Sequence, residues 1–191
     1  MLKKIAVTGA IASGKSTVCH VFRELGAYVV SADQIVHQLL TSASTSQQVI
    51  ELLGSRIVCD GVIDRKKVAD IVFTNPTLLQ ELERLIHPLV FREIKKEFQK
   101  ASEKMYSLFV AEVPLLFEAG FHTWFDAIIA VVASKNTRRG RAADDQEFSR
   151  RAEMQSTSDD IASKVTFIIE NEGTIDALRE TVKQLYYQIH P

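Results

Sequence analysis

The sequence predicts an α/β fold, a parallel five-stranded sheet flanked by helices and interrupted by a helical insertion. Five short apolar runs with strand character are spread along the chain. The first two are joined through a glycine-containing loop and an amphipathic helix, as parallel pairing requires. Between the second and third runs, residues 34–105 carry helical periodicity.

Taken in order, "KIAVTG" at 4–9 reads as a buried strand ended by Gly9. Residues 16–25 read as a helix, because Val18, Val21, Phe22 and Leu25 share one face and Gly26 follows as a stop. "AYVVSAD" at 27–33 is the second strand, ended by the polar Ser31 and Asp33. Five helical stretches follow, with Pro76 and Pro88 as breaks or first-turn residues. "YSLFVAEVPLLFE" at 106–118 and "DAIIAVVAS" at 126–134 restore the strand pattern, the first ending in Glu112 and Pro114. Residues 135–160 are charged and loop-like, and "TFIIEN" at 166–171 is the last strand. Residues 174–189 close the chain as an amphipathic helix with Thr174 as its N-cap.

The 191 residues, 46% hydrophobic and 25% charged, suit one core with an elaboration: a core at about 1–33, 106–135 and 165–191, and an insertion at about 34–105. Lys and Arg number 23 against 24 Asp and Glu, so the basic field that non-specific nucleic-acid binding needs is missing. Cys19 and Cys59 have neither zinc-site spacing nor the density of a disulfide scaffold. The N-terminal apolar run is too short for a signal segment or a membrane span, so a cytoplasmic location is expected.

Gly9 to Ser16 fits G-x-x-x-x-G-K-[ST], the P-loop. Backbone N–H groups that curl round a phosphate need dihedrals that Gly9 and Gly14 allow. Lys15 sets a positive charge against the phosphates, the Ser16 hydroxyl can ligate Mg²⁺, and the following helix adds its positive end. Asp33 stands just past the second strand, at the sheet edge where ligands collect. Such a carboxylate either orients an acceptor hydroxyl and takes its proton, or caps the next helix.

With these residues the chain resembles the dephospho-CoA kinase family. The resemblance rests on "TGAIASGKST" at 8–17, "LGAYVVSAD" at 25–33, "LIHPLVF" at 85–91, "EVPLLFEAG" at 112–120 and "IIENEGT" at 168–174, in the family's order and spanning most of the chain. It implies a P-loop NTPase sheet with a helical substrate-binding insertion and a lid at about 136–152. It also implies ATP-dependent phosphorylation of the ribose 3′-hydroxyl of dephospho-CoA, with ATP and Mg²⁺ bound and no nucleic-acid or membrane partner.

Carried over by residue, Gly9, Ala10, Ile11, Ala12, Ser13, Gly14, Lys15, Ser16 and Thr17 would hold the ATP phosphates, with Lys15 also catalytic. Asp33 would match the general base, and Arg141 a lid arginine that reaches the transferring phosphate. "NEG" at 171–173, with Asn171 and Gly173 as its binding residues, would lie near the adenine. The insertion, with His87 and Pro88, and the segment Pro114, Leu115 and Leu116 would serve the acceptor. Glu112 would match a Walker B acid that joins Ser16 at the metal; as a bare sequence feature it also reads as a surface carboxylate, and His87 also reads as structural.

The chain departs from the family where glycines are usual at Ala10 and Ala12, an aspartate at Ser31 and an arginine at His37. Its lid is short, and a second lid arginine falls at Asp144 and Asp145 unless Arg150 or Arg151 takes the role. Two other readings stay open: a nucleoside or nucleotide kinase, and a non-catalytic ATP-binding paralogue.

Overall fold

The structure is a computed structural model that describes residues 1–141 and 164–190. Along the chain run β1 (Lys3–Thr8), α1 (Lys15–Glu24), β2 (Tyr28–Ser31), α2 (Ala32–Thr41), α3 (Ala43–Leu53), β3 (Val58–Cys59), β4 (Val62–Ile63), α4 (Arg65–Val72) and α5 (Pro76–Glu103). After these come β5 (Leu108–Glu112), β6 (Ala127–Val132), α6 (Lys135–Arg141), β7 (Phe167–Glu170) and α7 (Ile175–Ile189). The chain divides into two compact units, Met1–Ser31 with Glu97–Pro191, and Ala32–Lys96.

The first unit holds a five-stranded parallel sheet in the order β2-β5-β1-β6-β7. Alternation along the strands sends Ile5, Val7, Val110, Ile129, Val131 and Ile169 to one face. There they pack with Val18, Val21 and Phe22 of α1 and Leu178, Val182 and Leu185 of α7. Each such burial is worth about 1.5–3 kcal/mol, so this layer fixes where α1 begins. On Phe109, which points the other way, the rings of Phe98 and Trp124 stand edge-on, and the Lys4 ammonium lies 5.3 Å from the Trp124 ring. Thr174 caps α7 by accepting from the Ala177 N–H at 3.2 Å.

Strand order also sets the site. From β1 the chain returns through α1 to the edge strand β2, whereas from β5 it passes beyond β1 to β6. The loops after these two neighbours therefore part in opposite directions, and the crevice between them is where open α/β sheets bind ligands.

The second unit is not helical throughout. β3 and β4 form a small antiparallel ribbon, and Asp60 (φ 50°) and Gly61 (φ 80°) give its two-residue turn the left-handed pair that matches strand twist. Each strand is two residues long, too short to interrupt a helical pattern visibly. Asp64 then caps α4, accepting from the N–H groups of Lys66 and Lys67 at 2.9 and 3.3 Å. Pro76 is a first-turn residue, but Pro88 is neither that nor a break: α5 runs unbroken for 28 residues with Pro88 inside. Pro88 and Arg84 are both exposed, so solvent is at hand for the Arg84 carbonyl that loses its helical donor.

Candidate functional site

The loop between β1 and α1 is built by exclusion. A Cβ on Gly9 (φ 138°) would lie 2.2 Å from the Val131 carbonyl oxygen, and one on Gly14 (φ 103°) would lie 2.2 Å from Asn171 Nδ2. Neither position accepts a side chain. Ala12 stands in the left-handed region at φ 59°, while Ala10 keeps a negative φ. The conformational burden of the two alanines therefore falls on Ala12, at about 1–2 kcal/mol.

Lys15 opens α1, is 8% exposed, and donates from Nζ to the Ala10 carbonyl at 2.9 Å. Ser13 is fully buried, and its Oγ has no hydrogen-bond partner among the described residues. An orphaned hydroxyl, an ammonium folded over the loop and the first N–H groups of α1 are the groups that a phosphate oxygen would satisfy.

Parallel register sets Val7, Glu112 and Ser31 side by side at the strand ends, so their side chains share the α1 face. The Ser16 hydroxyl donates to Glu112 Oε1 at 2.8 Å. This joins the residue after the P-loop lysine to the end of β5. The pair supplies hard oxygen ligands, and no group of three or more His, Cys, Asp and Glu able to hold a metal occurs among the described residues. That donor set fits a cation that takes one or two protein oxygens and completes its shell with phosphate and water. Beneath it, burial first and the Glu112 charge second push the Cys19 thiol up, so Cys19 stays neutral and inert.

Past Glu112, Thr8 Oγ1 donates to the Pro114 carbonyl at 3.3 Å. Pro114 and Leu115 are half-buried, but Leu116 is fully buried. Leu116 is thus a core residue with no surface for a ligand, a correction to its expected place in the acceptor site.

At the ends of β6 and β7 the backbone is tied by the Asn171 N–H to the Val132 carbonyl at 2.8 Å. Asn171 is 6% exposed, and its Nδ2 donates to the Ser13 carbonyl at 2.8 Å. It braces the P-loop from behind, against the face of Gly14. Its Oδ1 lies 3.5 Å from Nη2 of Arg141, the last residue of α6.

The charged stretch expected to be loop from residue 135 is helical over Lys135–Arg141. Ser134 Oγ accepts from the Thr137 N–H at 3.3 Å, and the Glu172 carboxylate accepts from the Ser134 N–H and from Thr137 Oγ1 at 2.6 Å. Hydrogen bonds from Thr137 first and the Ser134 backbone next hold the Glu172 carboxyl below its ordinary range. Glu172 belongs to the "NEG" at 171–173 that the resemblance puts near the adenine, but its bond to Ser134, 38 positions away, leaves no local signal.

Ile11 and Thr17 are half-buried in the loop and in α1, and Gly173 precedes the α7 cap. Asp33 and His87 belong to the second unit. Asp33 is exposed as the second residue of α2, inside its first turn, so it does not cap that helix. His87 is half-buried in α5, one residue before Pro88. Residues 142–152 of the expected lid, with Asp144, Asp145, Arg150 and Arg151, lie outside the described residues.

Comparison with known proteins identifies the arrangement. The family model for dephospho-CoA kinase matches residues 3–177. The chain belongs to the dephospho-CoA kinase family. A dephospho-CoA kinase of Chlamydia abortus is 42% identical over 195 residues, which take in 98% of this chain and 96% of that protein. A solved dephospho-CoA kinase of Campylobacter jejuni is 26% identical with a TM-score of 0.73, covering 99% of this chain and 98% of the other. A crystal structure from Thermus thermophilus is 27% identical with a TM-score of 0.83 at the same coverage. The family is a set of phosphotransferases with an alcohol acceptor, and this member carries a parallel sheet, a P-loop and a Ser16–Glu112 contact.

Proposed function

We propose that this chain transfers the γ-phosphoryl group of ATP to the ribose 3′-hydroxyl of dephospho-CoA, giving coenzyme A and ADP in the last step of coenzyme A synthesis. The observation that carries it is the Ser16–Glu112 contact at 2.8 Å, where the P-loop meets the end of β5. It sets paired oxygen ligands beside a phosphate cradle whose lysine is already in place.

The buried Ser13 hydroxyl, the Lys15 ammonium and the first N–H groups of α1 bind the phosphates. Lys15 exchanges the Ala10 carbonyl for a phosphate oxygen as nucleotide enters. Ser16 and Glu112 would hold Mg²⁺, and the bound ion would supply charge neutralisation on the phosphate oxygens. The transition state is loose, so positioning and electrostatics supply most of the catalysis, and Arg141 meets the charge on the transferring group. Asp33 aims the 3′-hydroxyl and accepts its proton. On this reading His87, Pro114 and Leu115 would serve the acceptor, and Asn171 and Gly173 the nucleotide. The partner is a small molecule and the location cytoplasmic. A near-neutral charge supports this, as does the lack, among the described residues, of any helix long and apolar enough to cross a membrane.

The test is ADP formation from Mg-ATP with dephospho-CoA, beside a panel of nucleosides and nucleoside monophosphates. Turnover on dephospho-CoA is expected, with loss of activity but not of fold in Lys15→Ala. Preference for a nucleoside overturns the acceptor, and tight ATP binding with no ADP on any acceptor leaves a non-catalytic binder. Asp33→Asn should lower kcat by about 10²- to 10⁴-fold with ATP affinity little changed; full turnover removes the base role.

A further inference from the structure

Over its described residues, Lys-Asn-Thr-Arg-Arg-Gly-Arg at 135–141, helix α6 buries none of them. This stretch offers no apolar side chain to dock and contains a glycine. Polar contacts hold its start. At its start the Glu172 carboxylate accepts from the Ser134 N–H, from Ser134 Oγ at 3.2 Å and from Thr137 Oγ1 at 2.6 Å. Ser134 and Thr137 hydroxyls also meet at 2.9 Å, and Arg138 Nε donates to the Ala133 carbonyl at 3.1 Å. At its end stands Arg141, against Asn171 Oδ1. Glu172 follows directly on Asn171, whose Nδ2 holds the P-loop at the Ser13 carbonyl. Two consecutive residues at the end of β7 thus grip the phosphate loop and the arginine-bearing helix.

We propose that Glu172 is a positioning residue for phosphoryl transfer, setting α6, and through it Arg141, in register with the P-loop that Asn171 braces. The inference rests on the phosphate role given to Arg141 above. A carboxylate is suited to the task because it accepts from the Ser134 N–H and the Thr137 hydroxyl together, with the one Ser134 hydroxyl proton shared between it and Thr137 Oγ1, and such bonds to a carboxylate are charge-assisted. Glutamine keeps the size but replaces one acceptor oxygen with a donor.

The test is Glu172→Gln in the wild-type and the Arg141→Ala background, with kcat, the KM for ATP and the melting temperature of each. Amide hydrogen exchange over residues 135–141 is measured in ligand-free protein. Exchange in α6 should quicken by about tenfold in E172Q. Its kcat should fall by about 10- to 100-fold, with a smaller change in KM and little loss of melting temperature. In the Arg141→Ala background the same substitution should change kcat by less than about twofold, because the residue it acts through is gone. Should E172Q not fold, Thr137→Val removes one of the clamp's donors while keeping Glu172, and must show the same dependence on Arg141. Unchanged α6 exchange, or losses that multiply in the two backgrounds, overturn the inference and leave the Arg141 role standing. Full kcat in Arg141→Ala alone overturns both.

Discussion

Gly14→Ala and Gly26→Ala form a matched pair that isolates the contact between Asn171 and the P-loop. Both glycines have left-handed φ, 103° and 93°, so an alanine at either costs about 1–2 kcal/mol in backbone strain. They differ in surroundings: a Cβ at Gly26 meets nothing within 4 Å, whereas one at Gly14 meets Asn171 Nδ2 at 2.2 Å. That amide must withdraw, which breaks its 2.8 Å bond to the Ser13 carbonyl. Asn171 is 6% exposed, so the freed groups find little water, at a further cost of about 1–3 kcal/mol. Gly26→Ala should therefore destabilise by about 1–2 kcal/mol and Gly14→Ala by about 2–5 kcal/mol. Urea unfolding of the ligand-free protein, followed by far-ultraviolet circular dichroism, reads both. Nucleotide affinity should survive in Gly26→Ala and collapse in Gly14→Ala. Equal destabilisation by the two would refute the brace, since strain alone would then account for Gly14.

Ala12→Gly should relieve left-handed strain of about 1–2 kcal/mol against an entropy cost of about 0.4–1 kcal/mol, a net gain of up to about 1.6 kcal/mol in urea unfolding. Glu112→Gln should raise the Mg²⁺ concentration for half-maximal activity by about 10- to 100-fold, measured by titrating Mg²⁺ at saturating ATP. A hydrogen bond to Glu97 at 2.6 Å first, and burial second, push the Tyr28 phenol up to about 12. Because the folded value lies above the ordinary one, its stabilisation is complete below about pH 10 and is lost as pH rises through about 12. The stability difference between wild type and Tyr28→Phe should be level up to about pH 10 and shrink toward about pH 12, followed by urea midpoints.

Strands, the P-loop and the family were legible because each depends on residues close in sequence. "KIAVTG" is apolar enough to be buried, and Gly9, Gly14, Lys15 and Ser16 carry their chemistry at fixed spacing. The errors arise where distant groups decide. Pro88 reads as a break or a first-turn residue, yet α5 runs through it where Arg84 and Pro88 are both exposed. "KNTRRGR" reads as loop, yet Glu172 caps it. The Asp60-Gly61 turn is a hairpin signal, but strands of two residues were lost among helical patterns.

The sequence by itself determined that a phosphate is held between a strand and a helix, and which family does the holding. It also carried the departures at Ala10 and Ala12 without saying which of them matters. Only the tertiary structure placed the strain at Ala12, set Ser16 against Glu112 from the end of another strand, and turned Leu116 inward. It also showed Asn171 and Glu172 joining the P-loop to Arg141. The reason is physical: motif chemistry is written in local spacing, whereas burial, register and capping are set by groups that meet only after the chain has folded.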